Sequence, residues 1–77
     1  MEATRLVNGA AVAALRNAVG MKQVRLAKDV GVSGAFLSNI EAGRKQPGPQ
    51  TARALADALG VPLEAITYPA IRRTVAA

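Results

Sequence analysis

The stretch QVRLAKDVGVSGAFLSNIE, Gln23 to Glu41, decides the fold. Its first half predicts a helix from about Gln23 to Val30, with Leu26, Ala27 and Val30 on one side and Lys22, Arg25 and Lys28 on the other. Gly31 ends that helix, because the turn needs a left-handed residue and glycine takes that conformation without a Cβ penalty. Ser33 then caps a second short helix, Gly34 to about Glu41. Leu37 and Ile40 face inward from it, while Gly34, Ala35, Ser38 and Asn39 face outward. Ala27 is small where the two helices would cross closely, and Val32 is an apolar turn residue expected to plug the core.

Working outward, Met1 to Val7 reads as a short arm and Asn8 as the N-cap of a helix over Ala10–Val19, with Val12, Leu15 and Val19 on one face. Gly20 stops it. Downstream, Ala42 to Gly48 (AGRKQPG) is a loop with two glycines, a proline and the pair Arg44-Lys45. Pro49 suits the first position of a helix that runs to Leu59 along an Ala52, Leu55, Ala56 and Leu59 stripe, and Gly60 closes it. Pro62 opens a short fifth helix with Leu63 and Ile66, and Pro69 ends regular packing before the tail AIRRTVAA. No run alternates strictly between apolar and polar residues, so no strand is expected, the tail being the one possible exception. The expected fold class is all-α, a bundle of five short helices. The expected organisation is an arm over 1–7, a core domain over 8–67 and a tail over 68–77 that is a possible dimer element.

Composition narrows the chemistry. Seventy-seven residues make one small domain. Hydrophobic residues form 51% of the chain, too many for a disordered basic tail. There is no Cys and no His, which removes thiolate nucleophiles, disulfides, the usual zinc sites and a histidine general base. The five carboxylates suggest no acid–base pair, and Gly43 to Gly48 lacks the ending of a phosphate-binding P-loop. No enzyme activity, cofactor, metal or small-molecule ligand is therefore expected. Without an apolar run of membrane-spanning length or a signal-like N-terminus, a soluble cytoplasmic location is expected, with no membrane partner. Ten Lys+Arg against five Asp+Glu give a net charge of +5, which points to nucleic acid or an acidic surface. A core this small gains from self-association.

Two short helices about a left-handed turn satisfy the mechanical needs of a helix-turn-helix, whose second helix enters a DNA major groove. Over Asn8 to Ile66 the chain resembles the phage repressor/Cro-like (lambda-repressor-like, also Xre-like) family of helix-turn-helix proteins. The resemblance runs through LRNAVGMKQ, GVS, FLSNIEAGRKQP and LADALGVPLEAI, in that order. It implies that Gln23 reaches a phosphate and braces the recognition helix. It implies that Gly34, Ala35, Ser38 and Asn39 look into the groove and that Arg44 and Lys45 grip the backbone. It also implies that Arg16 and Glu41 tie the first helix to the end of the third as a structural ion pair. The departure is at Gly34 and Ala35, where the family often carries long polar side chains. Asn39 can pair bidentately with adenine, worth about 1–3 kcal/mol of discrimination. Ser33 and Ser38 can bond phosphate or base, and Ser33 can serve as a cap alone. Three routes can make up for the short side chains: closer backbone approach at Gly34, shape readout by arginine in a narrow minor groove, or extra contacts from the arm (Arg5) or the loop. Phe36 reads as a packing residue.

Lys22, Arg25, Lys28, Arg44 and Lys45 surround the recognition helix and would neutralise about five phosphates per subunit, with a steep salt dependence. The expected function is a sequence-specific double-stranded DNA-binding transcriptional regulator, a small homodimeric repressor on an inverted-repeat operator with half-sites about one helical turn apart. Dimer contacts are expected from the apolar residues after Gly60: Val61, Leu63, Ile66, Tyr68, Ile71 and Val75. Arg72 and Arg73 stay open between a basic tail, a dimer element and a second DNA contact. The alternatives are an antitoxin that binds a toxin and autoregulates its operon, and an interaction module without DNA binding.

Overall fold

The computed structural model describes residues 4–70. In chain order these form β1 (Thr4–Val7), α1 (Gly9–Ala18), α2 (Gln23–Val30), α3 (Gly34–Glu41), α4 (Pro49–Leu59), a 3₁₀ turn (Leu63–Ile66) and β2 (Thr67–Ala70). The helix ends follow from local chemistry. Asn8 Oδ1 accepts from the Ala11 N–H at 3.2 Å, and Ser33 Oγ accepts from the Phe36 N–H at 3.0 Å, each satisfying a first-turn donor. Gly31 is left-handed at φ 83, which lets the Val32 N–H turn back to the Ala27 carbonyl at 3.0 Å.

The helices pack around one core. Val12 of α1, Leu26 of α2, Leu37 and Ile40 of α3, Leu55 of α4 and Ile66 of the 3₁₀ turn are all buried, and Val7 joins them from β1. Each such aliphatic side chain contributes on the order of 1.5–3 kcal/mol by leaving water. Among the described residues no buried side-chain nitrogen or oxygen lacks a partner. None of their helices is long and apolar enough to cross a membrane.

Several expectations are corrected here. The fold is not purely all-α: β1 and β2 pair antiparallel, with Thr4 opposite Ala70, Arg5 opposite Pro69, Leu6 opposite Tyr68 and Val7 opposite Thr67. The Asn8 N–H donates to the Ile66 carbonyl at 2.7 Å, which brings the strands side by side. The limits expected near residues 7 and 67 therefore fall inside or beside this sheet. Four α-helices are present among the described residues, and the fifth is a single 3₁₀ turn, because only four residues lie between Pro62 and the strand. Val19 is not on the inner face: α1 ends at Ala18, and Val19 is a C-cap left 59% exposed. Of the apolar residues expected to be exposed after Gly60, Ile66 is fully buried, Val61 and Leu63 are half-buried against the core, and Tyr68 is exposed. Ile71, Arg72, Arg73 and Val75 lie outside the described residues.

Candidate nucleic-acid interface

On α3 the spacings 34/38 and 35/39 bring four residues onto one strip. Gly34 and Ala35 are exposed, and Ser38 and Asn39 are half-buried. The opposite side of the helix is anchored by Leu37 and Ile40, both buried. Phe36 is half-buried and packs against the core. Ser33 Oγ is committed as an acceptor to the cap, and its O–H remains able to donate.

The C-terminal end of α3 is held by one carboxylate. Arg16 Nε donates to Glu41 Oε2 at 2.8 Å, and Arg16 Nη2 donates to Oε1 at 3.1 Å. The third nitrogen of that guanidinium, Nη1, donates to the Met21 carbonyl at 2.9 Å. Gln23 Nε2 adds a bond to Glu41 Oε1 at 3.1 Å. Helices α1, α2 and α3 thus meet at Glu41. The two charged side chains are only 13% and 8% exposed, so water screens the bidentate pair weakly. The hydrogen bond to Glu41 holds the Arg16 guanidinium above its ordinary pKa, against the opposing effect of burial and with further help from the Glu41 charge. Because that pKa is raised on folding, the contribution is fully present below the unfolded value and is lost only in strong alkali.

Of the two roles expected of Gln23, the brace is present: its amide nitrogen donates to Glu41 and keeps one further N–H to donate. Gly9 is a site residue that sequence reasoning missed. A Cβ there would run into the Ile40 carbonyl and come within 2.9 Å of the Glu41 carbonyl oxygen. Glycine therefore allows α1 to begin directly against the end of α3. A glycine immediately after an N-cap is the one mark it leaves in the sequence, and Gly34 carries the same mark.

The loop after α3 folds back on it. The Arg44 and Lys45 N–H groups donate to the Asn39 carbonyl at 2.9 and 3.3 Å. Arg44 Nε also donates to Asn39 Oδ1 at 2.9 Å. Gln46 is a second missed residue. Its Oε1 accepts from the Val7 N–H and its Nε2 donates to the Val7 carbonyl, both at 2.9 Å. A side-chain amide thereby covers the outer edge of β1 as a neighbouring strand would, and ties the basic loop to the sheet.

Lys22, Arg25, Lys28, Arg44 and Lys45 are all exposed. Arg25 is shared with Asp29 at 3.1 Å, one helical turn along. Arg5 does not belong to a free arm: its Nε donates to Thr67 Oγ1 at 2.8 Å and its Nη2 to the Thr67 carbonyl at 3.4 Å. Among the described residues no cluster of His, Cys, Asp and Glu could hold a metal ion.

The α3 strip thus stands on a braced helix with basic residues around it, and a family model described as Helix-turn-helix matches residues 12–66. The chain belongs to the Cro/C1-type helix-turn-helix family. That is a family of DNA-binding transcription regulators, not of enzymes. This helix-turn-helix chain is similar to the solved clp gene regulator ClgR from Corynebacterium glutamicum, at 32% identity and a TM-score of 0.71 over 73% of this chain. It spans 60% of that ClgR chain. It is also similar to the restriction-modification controller protein C.AhdI from Aeromonas hydrophila, at 26% identity and a TM-score of 0.71 over 74% of this chain and 86% of the other. A third similar structure is SinR, a master regulator for biofilm formation solved in complex with DNA, at 26% identity and a TM-score of 0.69 over 74% of this chain and 95% of the other. No curated protein matches the helix-turn-helix chain at a significant level.

Proposed function

We propose that this chain is a sequence-specific regulator of transcription that binds double-stranded DNA through α3 in the major groove. It acts as a small homodimeric repressor on an inverted-repeat operator. The observation that carries the reading is the outward strip of exposed Gly34 and Ala35 and half-buried Ser38 and Asn39 on a helix locked to its neighbours through Glu41. A reading helix must hold its register against the bases, and a bidentate contact supplies that rigidity. Gln23, Lys22, Arg44 and Lys45 contact phosphates, and Arg25 does so only in competition with Asp29; such contacts position the protein without reading sequence. Ser38 and Asn39 touch base edges, Ala35 offers a methyl to thymine, and Gly34 lets the backbone approach the groove. Ser33 contributes its hydroxyl at the helix start. The similarity to SinR, solved in complex with DNA, supports DNA binding by this fold.

Dimerisation doubles the contact area and matches a two-fold operator. Its surface centres on β2, where Tyr68 is 45% exposed. Selection of bound sites from random duplex DNA with the whole chain tests the reading. An enriched inverted repeat, with half-sites about 10 base pairs apart, is expected, together with a dimer in sedimentation. No enrichment, and no gain of affinity for any duplex as salt is lowered, would overturn it.

A further inference from the structure

Asn39 carries two unlike ends, an oxygen that accepts and a nitrogen that donates. A base edge is read by an acceptor and a donor in a fixed order, so a side-chain amide turned through 180° presents the wrong pattern. A surface asparagine on a half-buried helix face has nothing of its own to choose between the two orientations. Here Arg44 makes the choice. Its Nε stands 2.9 Å from Asn39 Oδ1, and an N–H can only face the oxygen; the flipped amide would set a donor against a donor. The contact is short because the loop is already closed on the same residue, with the Arg44 N–H on the Asn39 carbonyl at 2.9 Å. Among the described residues, Nη1 and Nη2 of Arg44 take no protein partner, so the far end of the guanidinium stays available for a phosphate. Lys45, next along the loop, makes no side-chain bond to α3 among the described residues.

We propose that Arg44 is a specificity-determining positioning residue: through Nε it fixes the amide of Asn39 in one orientation toward the groove, while its terminal nitrogens meet the DNA backbone. This rests on the DNA-binding reading above. It separates two properties that an ordinary phosphate contact keeps together. Lysine at position 44 keeps the charge but has no Nε fork.

The test compares the wild type, Arg44→Lys, Asn39→Ala and the double variant, all as whole chains. Each is used for selection from random duplexes and then for titration of the selected site and a scrambled duplex across salt. Asn39→Ala is expected to lose preference at one base pair of each half-site by about tenfold or more. Arg44→Lys is expected to lose preference at the same base pair with an unchanged salt slope, since the charge is kept, and any weakening from its altered phosphate contact should fall equally on the selected and scrambled duplexes. The double variant should be no worse than Asn39→Ala alone, because the two residues act as one unit. Arg44 is exposed, and an unchanged melting temperature checks that Arg44→Lys folds. Three results overturn the proposal alone: an Arg44→Lys selection identical to wild type, an Arg44→Lys loss spread evenly over all sequences with preference at that base pair intact, or an Asn39→Ala variant with unaltered preference. A wild type that enriches no sequence overturns the DNA reading, and this proposal with it.

Discussion

Gly9 and Gly34 are indistinguishable in the sequence: each is a glycine at the start of a helix, one residue after a capping side chain. The structure gives them opposite meanings. Around Gly9 there is no room for a Cβ, because the backbone of α3 fills the space, whereas around Gly34 nothing lies within 4 Å. Gly9→Ala should therefore push α1 off the end of α3 and cost at least about 1–3 kcal/mol, as overpacked cores do. A urea titration reads this directly, and an unmoved midpoint would refute the close approach. Gly34→Ala should shift the same midpoint by less than about 0.5 kcal/mol. Its effect belongs to the DNA complex, where the added methyl occupies space that the proposed backbone approach uses. Affinity for the selected operator should fall; affinity equal to wild type would mean that the groove does not come that close.

Where elements meet, charge and amide contacts decide the geometry. Glu41 is shared by Arg16 and Gln23, and the carboxylate is nearly buried. Arg16→Ala leaves that charge without its main partner, at a cost of about 3–5 kcal/mol by analogy with other broken buried pairs. Thermal melting checks it, and a loss below 1 kcal/mol would mean that water replaces the guanidinium freely. Gln46→Ala acts elsewhere: it uncovers the Val7 amide, whose hydrogen exchange should accelerate while amides in the middle of α1 stay protected. Uniform acceleration in both would show that Gln46 supports the whole fold rather than the sheet edge. The helices, the left-handed Gly31 and the Arg16–Glu41 tie were legible in the sequence because each leaves a local mark: a period, a cap, a glycine, or a family pattern. The sheet left none. Its strands are four residues long and lie 62 residues apart where Arg5 meets Thr67, so only the folded core, by placing Asn8 against Ile66, reveals that they can pair. Gln46 was equally hidden, since its partner is a backbone group of that unseen strand. The outward strip on α3 was readable from helical spacing, but the bond between Arg44 and Asn39 was not, because it depends on how the loop folds back.

Over the whole molecule, not all ten Lys+Arg are equally free to meet DNA. Arg16 is spent on Glu41, Arg5 on Thr67, and Arg25 is shared with Asp29. Of the five basic residues expected around α3, four (Lys22, Lys28, Arg44 and Lys45) make no ion pair among the described residues. Each phosphate neutralised contributes about 0.9 to the slope of log affinity against log salt. Lys45→Ala should flatten that slope by about one unit per subunit and weaken all duplexes alike. Asp29→Asn should do the reverse. It removes a negative charge beside the interface and releases Arg25, so the slope should steepen by about one unit per subunit and low-salt affinity should rise. The exposed pair, with its side chains 68% and 36% accessible, contributes only about 0.3–0.5 kcal/mol to the fold, so melting should barely change. Anisotropy titrations at four or five salt concentrations read both slopes. A slope unchanged by Asp29→Asn would place the exposed face of α2 away from the phosphates, and the recognition helix would then have to enter the groove tilted toward the Arg44–Lys45 loop.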